Sequence, residues 1–386
     1  MRSIYLDYNA TTPLDPAVRE AMLPFLGEIW GNPSSVHHVG RRARALLDDA
    51  RDRIASSWKS KPSEVVFTSG GTESNNLAIF GTARLLRDKG RHLITSRIEH
   101  HAVLHCFQYL ARKEGFEVTY LPAGSDGMVN PADLARAIRP DTILVSVMAA
   151  NNETGAIQPV AELGRLCREH GVLFHTDAVQ WFGKLPFDSI HQFNADLVSV
   201  CAHKFFGPKG AGALYIRSPL LPDPILFGGG HENERRAGTE NLAATIGFAE
   251  AFTCFVPAPV FHSALIVDYS AVLESALRAI PGVTVRSPVA QTSRLPNTLA
   301  FTVAGADSIA LLAGLDLEGI CASSGSACSA GSLEPSHVML AMGVPPEEAN
   351  ALVRLSLGPE SGVEEITVVD QVLPAVIARI RATNKR

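Results

Sequence analysis

Apolar residues along the chain follow two alternating spacings. Short β-branched runs stand at Glu64-Val-Val-Phe-Thr68, His92-Leu-Ile-Thr-Ser96, Thr142-Ile-Leu-Val-Ser-Val-Met148, Val172-Leu-Phe-His-Thr176, Leu197-Val-Ser-Val200 and Gly212-Ala-Leu-Tyr-Ile216. Between them, segments near 17–26, 38–57, 72–89, 102–113 and 160–170 carry apolar residues at the helical period. Continuous apolar runs alternating with amphipathic helices predict a mostly parallel sheet covered on both faces, an α/β fold. After a Pro- and aromatic-rich stretch at 255–262 the pattern changes to a helix at 264–279, a few strands, and closing helices at 346–352 and 364–381. The chain therefore divides into a large α/β domain, 15–255, and a smaller α+β domain built from 1–14 and 256–386. There is no internal repeat or low-complexity block.

Composition narrows the function classes. The 386 residues are 46% hydrophobic and 19% charged, enough apolar material for a sizeable core. Lys+Arg 34 against Asp+Glu 39 leave a net charge of -5, which disfavours nucleic acid as a ligand. The longest uncharged run, 251–267, is shorter than the roughly 20 residues of a membrane span and contains Pro257, Pro259 and His262, so no membrane helix is expected. The N-terminus has no apolar signal core, which points to the cytoplasm. Six cysteines without a CxxC pair argue against a disulfide framework or a zinc ribbon.

Three motifs carry chemistry. In Phe67-Thr-Ser-Gly-Gly-Thr-Glu-Ser-Asn75 a strand passes through two glycines into a helix, so that backbone N–H groups and the helix N-terminus at Gly71 and Thr72 can cradle an anion; an ordinary capped turn has the same pattern. In His175-Thr-Asp-Ala-Val-Gln180, Asp177 and Gln180 follow an apolar strand, where open α/β sheets place ligands, although Asp177 could instead cap the next turn. In Ser199-Val-Cys-Ala-His-Lys-Phe-Phe-Gly-Pro-Lys-Gly210, Lys204 can be held partly desolvated and so attack an aldehyde. A phosphate cradle, a strand-end Asp and a strand-end Lys together suit pyridoxal 5'-phosphate: anchor, ring-nitrogen partner and Schiff-base former.

With these motifs on the page, the chain resembles pyridoxal-phosphate enzymes of the aspartate-aminotransferase fold (fold type I), and within them the NifS/IscS group of cysteine desulfurases. The resemblance runs nearly end to end, through Tyr5-Leu-Asp-Tyr-Asn-Ala-Thr-Thr-Pro13, Gly31-Asn-Pro-Ser-Ser35, Glu99-His100, Asn151-Asn-Glu-Thr-Gly155, Arg235-Arg-Ala-Gly-Thr239, Ser323-Ser-Gly-Ser-Ala-Cys328 and Arg354-Leu-Ser-Leu-Gly358. It implies a seven-stranded, mostly parallel sheet. It implies that Gly71, Thr72, Cys201 and His203 lie at the phosphate side, that Asn152 and Gln180 reach the ring hydroxyl, and that His100 stacks on the ring and serves as an acid or base. Thr239 would close the phosphate site of a neighbouring subunit in a homodimer, and Asn32 and Arg354 would bind the carboxylate of L-cysteine. Cys328, in a Ser/Gly/Ala-rich stretch expected to form a mobile loop, would take the sulfur as a persulfide, release L-alanine and pass the sulfur to an acceptor such as an iron–sulfur scaffold.

Two departures from the family pattern stand out. Cys201 replaces a usual serine and is a poorer donor to the phosphate, and the chain ends without the extended segment that docks a scaffold in some members. Rival readings are selenocysteine lysis or another pyridoxal-phosphate reaction, a non-catalytic sulfur-relay or scaffold-binding protein, and a metalloprotein. The last draws on His101 and His105 four residues apart, but with no evident third ligand a metal site is not expected.

Overall fold

A computed structural model describes residues 3–325 and 334–384. The strands in chain order are β1 (Ile4–Tyr5), β2 (Val65–Thr68), β3 (His92–Ser96), β4 (Glu117–Leu121), β5 (Thr142–Ser146), β6 (Leu173–Asp177), β7 (Leu197–Cys201), β8 (Gly212–Ile216), β9 (Val283–Val285), β10 (Thr298–Val303), β11 (Ile320–Cys321) and β12 (Leu352–Ser356). The α-helices are α1 (Pro16–Met22), α2 (His38–Trp58), α3 (Gly71–Leu86), α4 (His101–Lys113), α5 (Pro131–Ala137), α6 (Val160–Glu169), α7 (Leu242–Phe255), α8 (Ala264–Ala279), α9 (Ser308–Leu317), α10 (His337–Ala341), α11 (Pro346–Ala349) and α12 (Val363–Asn384).

The seven-stranded sheet has the order β2-β8-β7-β6-β5-β3-β4. Strands β7, β6, β5, β3 and β4 run parallel, and β8 is antiparallel to both β7 and β2. Every residue of β3, β5, β7 and β8 is buried, the consequence of helices on both faces and the reason these strands read as continuous apolar runs. The edge strand β4 begins with an exposed Glu117 and mixes in polar residues, so no apolar run marks it in the sequence.

A second core lies around the antiparallel sheet β12-β10-β9 and the parallel pair β1-β11. Leu299, Phe301, Leu311, Leu355 and Leu373 pack there, joined by Leu6 and Tyr8 from the N-terminal segment. The chain start thus crosses beside the small sheet before α1 begins.

Local chemistry moves several boundaries. The helix expected at 17–26 ends as α1 at Met22 and continues as a 3-10 turn, Leu23–Leu26, because Pro24 has no N–H to extend the α-helical ladder. The helix expected at 346–352 stops at Ala349, and Leu352 already belongs to β12. His37 caps α2, its Nδ1 accepting from Gly40 N at 3.2 Å. By length and composition the run Leu242–Ala279 could cross a membrane, but it forms two separate helices, α7 and α8, with Pro257 and Pro259 between them. Most of α7 is buried, against α1 and α2.

Candidate active site

Because β3, β5, β6 and β7 are parallel, their carboxyl ends open on the same side of the sheet, where loops and helix starts converge. A cavity of about 230 Å³ lies there, and its lining includes Gly71, Thr72, His100, Asn152, Asp177, Gln180, Cys201, His203, Lys204 and Arg354. Ten residues expected at the site from the sequence are thereby brought together from segments spread over most of the chain.

Lys204 closes a single 3-10 turn, Ala202–Lys204, directly after β7. Its Nζ donates to the backbone oxygens of Asn9 and Ala10, both at 2.7 Å. Burial above all, with the Arg354 charge adding to it, holds the amine below the ordinary lysine value. A lysine so placed is anchored by two neutral carbonyls and forms no ion pair among the described residues, and burial outweighs the longer-range pull of Asp7 and Asp177, which favours the nucleophilic free amine.

Asp177 ends β6 with its carboxylate fixed at both oxygens: Oδ1 accepts from Val179 N at 3.0 Å and Oδ2 from Asn75 Nδ2 at 2.7 Å. The capping and the ligand-facing readings of this residue are therefore compatible. Opposite stands the start of α3, where Gly70 takes φ +149° and a Cβ on Gly71 would lie 2.7 Å from Val179 Cγ2. The bare backbone at Gly71 leaves the first N–H groups of a 16-residue helix facing the cavity, a setting that attracts a phosphate.

His100 is the N-cap of α4, its Nδ1 accepting from Ala102 N at 3.1 Å, so in the neutral ring Nε2 carries the hydrogen. Burial lowers its pKa and favours that neutral form. His203 is pushed down to about 4, by burial first and by Lys204 second, and its Nδ1 lies 3.2 Å from Thr11 Oγ1. Burial pushes the Cys201 thiol up to about 11, so it stays protonated.

Arg354 is buried and forked. Nη2 pairs with Asp7 Oδ1 at 2.7 Å, Nη1 donates to the backbone oxygens of Asn152 (2.9 Å) and Gly325 (3.0 Å), and Nε has no partner among the described residues. A buried N–H without an acceptor is costly, and a bound carboxylate would satisfy it.

Of the other expected residues, Asn32 and Thr239 do not join this cavity. Asn32 is exposed, its Oδ1 accepting from Ser34 N at 2.8 Å. Thr239 is exposed and lines a separate hollow of about 160 Å³ with Ser69, Gly210 and Arg236. Cys328 lies outside the described residues; of the residues flanking that stretch, Gly325 is held by Arg354 and Ser336 donates to Glu153 Oε2 at 2.5 Å. Sequence reasoning assigned no role to Asp7, Asn9, Asn75 or Lys184. The signal for Asn75 was an amide on the inward face of α3, and that for Asp7 and Asn9 a polar residue on each side of buried Tyr8.

An amine, a fixed carboxylate, a helix N-terminus and a buried guanidinium around one cavity suit a phosphorylated aromatic aldehyde together with an amino-acid substrate. The family model described as "Aminotransferase class-V" matches residues 4–369. The chain belongs to the class-V aminotransferase family. Members of this family depend on pyridoxal 5'-phosphate, and the donor set at the cavity fits that group. Among class-V relatives, the cysteine desulfurase IscS of Dictyoglomus turgidum is 46% identical over 98% of this chain and 96% of its own length. The cysteine desulfurase IscS of Methanosarcina thermophila is 45% identical over 98% and 93%. Among solved structures, a NifS-like protein superposes with a TM-score of 0.90 at 36% identity, covering 98% of this chain and all of its own. SspA in complex with cysteine gives 0.81 at 36% identity, covering 92% and 99%.

Proposed function

We propose that this chain is a cysteine desulfurase that converts L-cysteine to L-alanine and collects the sulfur as a persulfide on Cys328. The observation that carries the reading is the half-buried Lys204 amine, hydrogen-bonded only to backbone carbonyls among the described residues, in one cavity with Asp177 and the Arg354 Nε that has no partner there. Cysteine desulfurase relatives matching along almost the whole chain support the choice of substrate.

Pyridoxal phosphate, when bound, supplies an electron sink that labilises the bonds at the substrate's α-carbon and weakens its carbon–sulfur bond. Lys204 would hold it through Nζ, and its amine would carry a proton to and from the substrate. Asp177 keeps the ring nitrogen protonated, and Gly71, Thr72 and His203 hold the phosphate end, with Cys201 beside them. Asn152 and Gln180 reach the ring hydroxyl. Arg354 Nε would take the substrate carboxylate. His100, neutral and with hydrogen on Nε2, stacks on the ring and moves the proton of the substrate thiol. The Cys328 thiolate attacks the substrate sulfur; the S–S bond forms as C–S breaks, and a proton completes the methyl group of alanine.

The same reading makes the protein a cytoplasmic homodimer in which Thr239 completes the partner's phosphate site, and gives it a sulfur acceptor such as an iron–sulfur scaffold. Trp30, Val36 and Phe227 are large apolar side chains at 75, 87 and 85% exposure, which supports a covered face. It also divides the chain at 15–255 and at 1–14 with 256–386. The test is alanine and persulfide formation from L-cysteine without added keto acid. Wild type is expected to form both, and Cys328→Ser to bind L-cysteine while forming neither; full turnover by Cys328→Ser rejects the assignment.

A further inference from the structure

Lys184 is a second lysine beneath the cavity, fully buried and joined to no carboxylate among the described residues. Its Nζ donates to Asn9 Oδ1 at 2.6 Å and to Gln180 Oε1. Phe261 covers it, the ring centroid 5.6 Å from Nζ. Backbone hydrogen bonds fix the intervening turn: Trp181 N to Ala178 O at 2.9 Å and Lys184 N to Trp181 O at 3.1 Å. Gly183 makes that turn possible, with φ +74° and a would-be Cβ only 2.6 Å from Phe205 Cβ.

The amide of Gln180 has two ends of nearly equal shape, and its partners decide which way it points. A backbone carbonyl can only accept, so the amide end facing Asn9 O is Nε2, and the oxygen end is left facing Lys184, which has an N–H to hold it there. Nε2 then donates one hydrogen to Asn9 O at 3.0 Å, and its other hydrogen remains for the cavity that Gln180 lines. We propose that Lys184 is a positioning residue that locks the Gln180 amide so that an N–H, and not a carbonyl, faces the ring hydroxyl of the cofactor. The proposal rests on the reading of Gln180 as the partner of that hydroxyl. Burial, with Lys204 and Arg354 nearby, holds the Lys184 amine well below the ordinary lysine range. The charged or titratable groups facing it are Lys204, Arg354, Cys201 and Asp7.

A donor on the ring oxygen draws off its negative charge and loosens that oxygen's grip on the proton of the linked Lys204 nitrogen. The visible absorbance band of the cofactor-loaded protein therefore titrates at a lower pH when the amide is locked. The test measures that midpoint, and the dissociation constant of pyridoxal phosphate from the protein, for Lys184→Met, Gln180→Ala and the double variant. Lys184→Met is expected to raise the midpoint by about one pH unit, the size of one hydrogen bond. Gln180→Ala is expected to raise it similarly and the double variant no further, each weakening cofactor binding by roughly fivefold. Lys184→Leu removes the same donor and carries the same expectation should the Met variant not fold. No shift in Gln180→Ala would sink the reading of Gln180 itself. A shift there with none in the Lys184 variants overturns the lock, as does an additive shift in the double variant, which would mean that Lys184 acts through its own charge.

Discussion

Lys204 Nζ and the backbone oxygen of Asn9 are 2.7 Å apart, which ties the lysine after β7 of the large sheet to the N-terminal segment that packs with the small sheet. The Asn9 side chain extends the tie, with Nδ2 donating to Thr298 Oγ1 at 2.9 Å and to Asn152 O at 3.2 Å. One residue at the join between two cores thus orients both the reactive amine and the Lys184–Gln180 pair.

Replacing Asn9 by Ala removes one hydrogen bond each from Lys184, Asn152 and Thr298, which keep their other partners. A hydrogen bond is worth about 1 kcal/mol net, so a loss of about 3 kcal/mol in unfolding free energy is expected. Urea denaturation checks this, and an unchanged midpoint would contradict the role given to Asn9.

Glu99 is fully buried, and burial pushes its carboxyl from the ordinary 4.5 up to about 8, against the hydrogen bonds from Ser96 and Met148. Between those pH values the folded chain keeps a proton that the unfolded chain has released. Its contribution to stability is therefore whole below pH 4.5 and declines as pH rises toward 8, by about 1.4 kcal/mol per unit. Glu99→Gln keeps an acceptor for both partners and does not titrate, so its stability should gain relative to wild type across this window. Unfolding curves at pH 5, 6.5 and 8 decide; parallel behaviour of the two proteins refutes the assignment.

Cys201 is buried with its thiol protonated, and its Cβ is 3.8 Å from where a Cβ on Gly71 would sit. A hydroxyl donates better than a thiol, and one improved hydrogen bond is worth about 1 kcal/mol. Cys201→Ser should accordingly retain pyridoxal phosphate about fivefold more tightly in equilibrium dialysis.

Asp177 and Asn75 form a graded pair of tests. Asp177→Ala removes the charge opposite the ring nitrogen and is expected to lower the rate of alanine formation on the order of 10² to 10³ fold. Asn75→Ala frees Oδ2 but keeps the charge, so its loss should be about tenfold, the worth of one hydrogen bond to a charged group. Equal losses in the two variants would show that the charge itself is not what matters.

The alternation of apolar runs and amphipathic segments, together with the glycine pair, Asp177 and Lys204, carried the α/β class, the nature of the cofactor and the cavity-lining residues Gly71, Thr72, Asp177, Gln180 and Lys204, while His100, Asn152, Cys201, His203 and Arg354 came from the family resemblance. These are read locally: a strand buried on both faces must be apolar throughout, and a strand end followed by a polar residue marks where a ligand sits. Edge strand β4 escaped because an exposed face imposes no such pattern. What only the tertiary structure decided is the contacts between distant segments of the chain: Asp7 against Arg354, Asn9 against Lys204, Asn9 against Lys184. Asp7 and Arg354 stand almost a chain length apart, and a hydrogen bond depends on distance and angle in space, to which neither periodicity nor spacing along the chain gives access.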